Sequence, residues 1–172
     1  MRDRHEPRRR LYLLRHAKSS WGDPGLADHE RPLAPRGEKA AREMAEHARK
    51  GGIEPALVLC STALRARQTL AALSFAGEVS YEDGLYGASA GELVARLRRL
   101  PDELGTAMVV GHNPGLQELA LLLIEGVGHP ALARLHDKLP TGALVTLGFQ
   151  GPWAALGEGT ATLEDLVVPA EL

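Results

Sequence analysis

The sequence predicts an α/β fold, a three-layer α/β/α sandwich with a mainly parallel central sheet, helices on both faces, and an antiparallel edge or hairpin near the C-terminus. Three observations carry this. Short apolar runs alternate four times with helix-spaced amphipathic segments along the 172 residues, a pattern that implies right-handed crossovers between parallel strands. Two of those runs end in Ser61-Thr62 and Asn113-Pro114, residue types that start helices. The last two runs, 143–149 and 160–168, are joined by a Gly/Pro/Trp turn region with no helical pattern between them.

In chain order, residues 1–9 are polar and expected to form a disordered basic segment, leaving 10–172 as one domain, an ordinary size for a single core. Residues 10–15 form a short apolar run bounded by arginines, too brief for a helix. After a loop to Pro35, apolar Ala40, Ala41, Met44, Ala45 and Ala48 recur at helical spacing over 37–50, with Glu38/Arg42 and Arg42/Glu46 as outer pairs and Gly51-Gly52 as the stop. A strand over 56–60 leads through Ser61-Thr62, expected as N-caps, to a helix over 63–73. A weaker strand, 78–81, precedes Ser89-x-x-Glu92, a capping box with Leu93, Val94, Leu97 and Leu100 on one face of the helix it opens. The apolar run 106–111 is followed by Asn113 as expected N-cap, Pro114 at the first helical position, and Leu116, Leu119, Ala120, Leu123 and Ile124 at helical spacing.

Charge and cysteine content exclude several classes. Twenty Lys and Arg against twenty-two Asp and Glu leave a net charge of −2, which gives no global attraction to nucleic acid or to an anionic membrane. Seven of those cations (Arg2, Arg4, Arg8, Arg9, Arg10, Arg15 and Lys18) fall in the first eighteen residues against Asp3 and Glu6, and the Arg8-Arg9-Arg10 cluster reads as a solvated terminus. The single cysteine, Cys60, allows no internal disulfide and reads as a buried strand residue. No apolar run reaches the ~7–15 residues of a secretory core or the ~20 needed to span a bilayer, so a soluble, cytoplasmic protein is expected.

In parallel sheets ligands bind beyond the carboxyl ends of the strands, where helix N-termini offer free N–H groups to anions. Three strands deliver polar groups to that edge: Arg15 and His16 from the first, Arg65 one turn past the second, and His112 from the fourth. Taken singly, each histidine reads as an ordinary polar strand end and Arg65 as part of a solvated helix face. Together they point to an anion, because the guanidinium fork suits phosphate oxygens, and a phosphoryl group is the simplest ligand. Trp21 reads equally as a packing residue or a substrate contact, Trp153 as packing, and His5, His29, His47, His129 and His136 as surface or turn residues.

The segment Leu13-Leu-Arg-His-Ala-Lys-Ser-Ser-Trp21 resembles the Arg-His-Gly signature of the histidine phosphatase superfamily. Ser61-Thr-Ala-Leu-Arg-Ala-Arg-Gln-Thr69 resembles its second phosphate-binding segment, and Val110-Gly-His112 the segment carrying its second histidine. Asp28-His-Glu-Arg-Pro-Leu33, Gly37, the short length and Leu139-Pro-Thr-Gly-Ala143 look most like the SixA-type phosphohistidine phosphatase branch. The resemblance implies His16 as nucleophile, forming a phosphohistidine enzyme that water hydrolyses, with Arg15, Arg65 and His112 on the phosphoryl oxygens and no metal or cofactor. Lys18, Ser19 and Asn113 are expected to contact substrate.

Departures from the family narrow the substrate. Ala17 replaces the signature glycine, Lys18 a mutase-type Glu, and Gly22 an Asn; the mutase acid position falls on Gly87. Glu82 and Asp83 are the nearby candidates for a proton donor, each also readable as a plain turn carboxylate. Without an acid, the P–N bond of a phosphohistidine or other phosphoramidate is favoured, since its leaving group departs as a neutral amine. The expected partners are therefore a phosphorylated protein or a small phosphorylated substrate. The alternatives are a small-molecule phosphomonoesterase and a non-catalytic phosphate or phosphoprotein binding module. A cysteine phosphatase would need an arginine six residues after Cys60, where Ala66 stands. A metal enzyme built on His112, His129 and His136 lacks ligand spacing and would face repulsion from the arginines.

Overall fold

A computed structural model describes residues 8–171. The strands are β1 (Arg8–Arg15), β2 (Leu57–Ser61), β3 (Glu78–Glu82), β4 (Thr106–Gly111), β5 (Leu144–Gln150) and β6 (Thr162–Val167). The helices are α1 (Pro35–Lys50), α2 (Leu64–Leu73), α3 (Ala90–Leu97), α4 (Gly115–Leu123) and α5 (Leu132–Asp137). One six-stranded sheet has the order β3-β2-β4-β1-β5-β6. β3, β2, β4 and β1 pair in parallel, and β5 runs antiparallel to both β1 and β6, which is the expected antiparallel edge.

Strand alternation divides the core into two layers. Leu11, Leu13, Leu57, Leu59, Ala107 and Val109 face α3, α4 and α5, while Tyr12, Leu14, Val58, Cys60, Met108 and Val110 face α1 and α2. Successive side chains of a strand point to opposite faces, so strands apolar on both faces are what a sheet covered twice requires. The Ser89 capping box forms as its spacing predicts, with Ser89 Oγ accepting from Glu92 N and Glu92 returning a bond to Ser89 N.

The structure corrects several expectations. Arg8 and Arg9 belong to β1 and so not to the disordered basic segment expected over 1–9, of which residues 1–7 lie outside the described ones. Arg9 is buried, donating to the carbonyls of Gly151 and Asp102, and Arg8 and Arg10 both reach Glu164. The Arg8-Arg9-Arg10 cluster is thus the start of β1, an interior strand of the sheet, and not a solvated terminus. On α1 the ion pairs are Lys39–Glu43 and Glu46 with Arg49 and Lys50, in place of those expected of Arg42. The N-caps of α2 and α4 are Ala63 and Pro114, because Ser61 is still in β2 and Asn113 lies one position early. α5, too short for its periodicity to register, was not expected from the sequence.

One glycine positions the site directly. A Cβ on Gly37, in the first turn of α1, would lie 2.0 Å from the carbonyl oxygen of Lys18. The loop after β1 therefore rests against the helix backbone, and only glycine permits that approach.

Candidate active site

At the carboxyl ends of β1, β2 and β4 lies a cleft of about 500 Å³. Arg15, His16, Lys18, Ser19, Arg65, His112 and Asn113 all line it, so the sequence-predicted phosphate and substrate groups are brought together. Arg65, readable from sequence as a solvated helix residue, is 6% exposed and points inward.

His16 follows β1 with its backbone fixed on both sides: its N–H donates to the Gly111 carbonyl, and its own carbonyl accepts from Gly142 N. Its ring is 7% exposed, and Nδ1 lies 2.8 Å from the Ala17 carbonyl oxygen. A carbonyl can only accept, so Nδ1 carries the proton and Nε2 presents its lone pair. Burial, with contributions from His112, Arg65 and Arg15, lowers the His16 pKa to about 3 despite the opposing Ala17 bond. The ring is therefore neutral at physiological pH.

His112, 5.1 Å from His16 between ring centroids, is held by a 2.7 Å hydrogen bond between Nε2 and Ser61 Oγ. Burial and then the Arg65 charge lower its pKa to about 4. Arg65 reaches both rings, at 3.4 Å from Nε to His16 Nε2 and 3.5 Å from Nη2 to His112 Nδ1. Arg15 donates from Nη1 to the Leu139 carbonyl, which also accepts from Asn113 Nδ2. Among the described residues its buried Nε has no acceptor, leaving an uncommitted donor beside the cleft.

The carboxylate that organises these cations is Asp28, to which sequence reasoning gave no role. Asp28 Oδ2 accepts from Arg65 Nη2 at 3.0 Å and from the Tyr86 hydroxyl, its carbonyl accepts from Arg65 Nη1 at 2.7 Å, and Oδ1 accepts from Arg31 Nε at 3.1 Å. The Tyr86 hydroxyl, then Arg65 and Arg31, hold the Asp28 carboxyl far below its ordinary value against the cost of burial. Asp28 is accordingly ionised and has no proton to give. Arg31 also donates to Ser19 Oγ and stacks over the exposed Trp21 ring at 3.5 Å, placing Trp21 on the cleft rim. Thr69 joins the loop after β1 to α2, accepting from Ala17 N and donating to the Arg65 carbonyl.

Neither proton-donor candidate reaches the cleft. Glu82 is bound by Arg96 at 2.7 and 2.8 Å and by Ser80, and that Arg96 contact lowers its pKa. Asp83 accepts from Thr62 Oγ1 at 2.6 Å, and Thr62 in turn meets His29 Nε2. His29, expected as a surface residue, thus supports the cleft wall and packs edge-on against Tyr86. Cys60 is buried in β2 as expected, its thiol pushed up to about 12 by burial. Among the described residues no three His, Cys, Asp or Glu side chains are grouped so as to hold a metal ion.

The model of the histidine phosphatase superfamily, branch 1, matches residues 11–107, more than half the chain. This protein belongs to the histidine phosphatase superfamily. Its architecture is of the SixA type, and it is a phosphatase. A structure from Nakamurella multipartitia, assigned to the SixA phosphohistidine phosphatases, has a TM-score of 0.86 at 32% identity and covers 96% of this chain and 98% of its own. A similarly assigned structure from Agrobacterium tumefaciens gives 0.79 at 31% identity, with 95% and 99% covered. An uncharacterized protein of Mycobacterium tuberculosis is 40% identical over 158 residues, covering 91% of this chain and 99% of its own. Among the described residues of this histidine phosphatase, no helix is long and apolar enough to cross a membrane.

Asp28, Arg31, Ser61, Thr69 and Tyr86 are the site residues that the pattern did not assign. Asp28 and Arg31 lie in the segment 28–33, whose resemblance to the SixA branch marked the segment without giving either residue a role. Ser61 and Thr69 looked like a helix cap and a helix residue. Tyr86 is a single aromatic in a turn, and only the packing of that turn against Asp28 and His112 brings it to the cleft.

Proposed function

We propose that this phosphatase removes the phosphoryl group of phosphohistidine, or another phosphoramidate, on a protein, through a covalent intermediate on His16. The observation that carries the reading is the pairing of a neutral His16, unprotonated at Nε2, with a cleft in which the one carboxylate among the described lining residues is ionised. A nucleophile is ready, but no carboxylic acid is placed to protonate an alkoxide.

In the first step the His16 Nε2 lone pair attacks phosphorus in line and the P–N bond of the substrate breaks. A substrate imidazole already protonated on its other nitrogen departs neutral and needs no donor from the enzyme. His16 then carries the phosphoryl group on Nε2 and a proton on Nδ1, and the Ala17 carbonyl stabilises the resulting positive charge. Arg15, Arg65 and His112 face the equatorial oxygens, where transition-state charge is spread. Water then attacks phosphorus, the His16–phosphorus bond breaks, and phosphate leaves with the proton lost from water. Lys18, Ser19 and Asn113 line the entrance where the substrate's non-reacting part would lie.

The test mixes protein with a ³²P-labelled phosphohistidine peptide, quenches in base and maps the label. Transient label on His16, abolished in a folded His16→Ala variant, is the expected result. Faster turnover of alkyl phosphate monoesters than of phosphohistidine would overturn the substrate assignment, and binding without label would make the protein a phosphate-binding module.

A further inference from the structure

The catalytic cleft continues beyond the phosphate-facing groups. Lys18 and Thr141 line it and also a second groove of about 560 Å³, which runs between the first turns of α1 and the turn after β6. The charge of this groove is one-sided. Among the described residues, Lys18, Arg36 and Lys39 are exposed cations along it, and Glu43, 3.9 Å from Lys39, is the one carboxylate that lines it. Among the described residues neither Lys18 nor Arg36 has a carboxylate within ion-pair distance.

The placement of Arg36 and Lys39 runs against local helix energetics. They occupy the first two turns of α1, where the helix dipole favours anions. Glu38 is the carboxylate of the first turn of α1, as Glu92 is of α3, and Arg36 and Lys39 stand on either side of it as cations that helix stability alone does not favour. Arg36 and Lys39 follow each other at helical spacing on α1, Lys18 comes from the loop after β1, and Pro140, Val168 and Pro169 give the groove an apolar lining. That combination suits an extended chain bearing several carboxylates better than a single compact anion.

We propose that this groove holds an acidic segment of the phosphoprotein substrate, its Asp and Glu side chains engaging Lys18, Arg36 and Lys39 while the phosphoryl group occupies the catalytic cleft. The proposal rests on the protein-substrate reading above. The groove then selects among phosphoproteins by the residues that neighbour the phosphorylated one, and the catalytic groups need no sequence preference of their own.

The experiment measures binding of two fluorescent, phosphate-free peptides of equal length, one rich in Glu and one in Gln, by anisotropy. The Glu peptide is expected to bind about three- to tenfold more tightly at low ionic strength, the advantage shrinking with added salt, as for two or three exposed ion pairs. Arg36→Gln with Lys39→Gln should erase the preference. Both side chains are exposed and outside the catalytic cleft, so hydrolysis of a small phosphoramidate should be unchanged in the double variant. Equal affinity of the two peptides for the unaltered protein, or a preference that survives in the double variant, overturns the proposal. Phosphohistidine peptides with the same flanks form a separate arm. If Glu preference is intact but neither phosphopeptide is hydrolysed, the substrate reading fails and the groove's acidic preference stands.

Discussion

Acidification from about pH 7 to about pH 5 should weaken the fold while leaving the remaining folded protein with a neutral nucleophile. An ordinary imidazole, with a pKa of ~6.5, is about 97% protonated at the lower pH. His16 and His112, lowered to about 3 and about 4, stay neutral when folded and bind a proton only on unfolding. The unfolded state thus binds more protons, so stability is full above the ordinary value and falls as pH drops below it. Each group contributes about 1.4 kcal/mol per pH unit in that window, or about 2 kcal/mol by pH 5 and about 4 kcal/mol for the pair. That is a large share of a typical ~5–15 kcal/mol domain stability. Asp28 and Glu82 act in the same sense but lower on the scale: their carboxyls are held low, and their stabilisation is lost only as pH falls below the ordinary values of 3.8 and 4.5. Urea unfolding at a series of pH values, on the unaltered protein and on His16→Ala, is the assay. The variant should lose stability about half as steeply between pH 6.5 and 5. Equal slopes, or an NMR titration of the folded His16 ring near 6.5, would refute the assignment of a buried neutral nucleophile.

Replacing Asp28 by Ala removes one anchor from each of Arg65, Arg31 and Tyr86, and kcat should fall about tenfold, the low end for a hydrogen bond to a charged group because Asp28 is partly exposed. Arg65→Ala should cost far more, about 10³-fold or above in kcat, measured on the same phosphoramidate. Glu82→Gln loosens the pair with Arg96 and should lower stability by about 1 kcal/mol without altering kcat/KM, whereas a proton donor would show a large drop in turnover of alkyl phosphates. Gly37→Ala forces a Cβ onto the Lys18 carbonyl between two backbones that cannot both yield, so a loss of at least about 2 kcal/mol is expected in thermal unfolding, with a raised KM from displacement of the Lys18 loop.

Much of the fold was legible because its rules are local. β4 has the bounds of its apolar run, the Ser89 box caps α3, and the late strands lack a crossover helix and pair antiparallel. The gathering of Arg15, His16, Arg65 and His112 was legible for a topological reason: parallel strands deliver their carboxyl ends to one edge, so these four groups had to share a rim. Boundaries were harder. Arg9 looked solvated because a buried arginine satisfied by two carbonyls has no sequence signature, and Ser61 looked like a cap because its hydroxyl serves equally well as a partner for His112.

By itself, then, the sequence determined the layered architecture, the edge where chemistry occurs and the cations that gather there, since these follow from periodicity and strand order. Only the tertiary structure decided the protonation and the neighbours of those groups. The Ala17 carbonyl sets the His16 tautomer, and Asp28 crosses the cleft to hold Arg65. Arg96 takes Glu82 out of contention as an acid. These depend on burial and on contacts between distant segments, and a charge's behaviour is governed by its surroundings in space and not by its place in the chain.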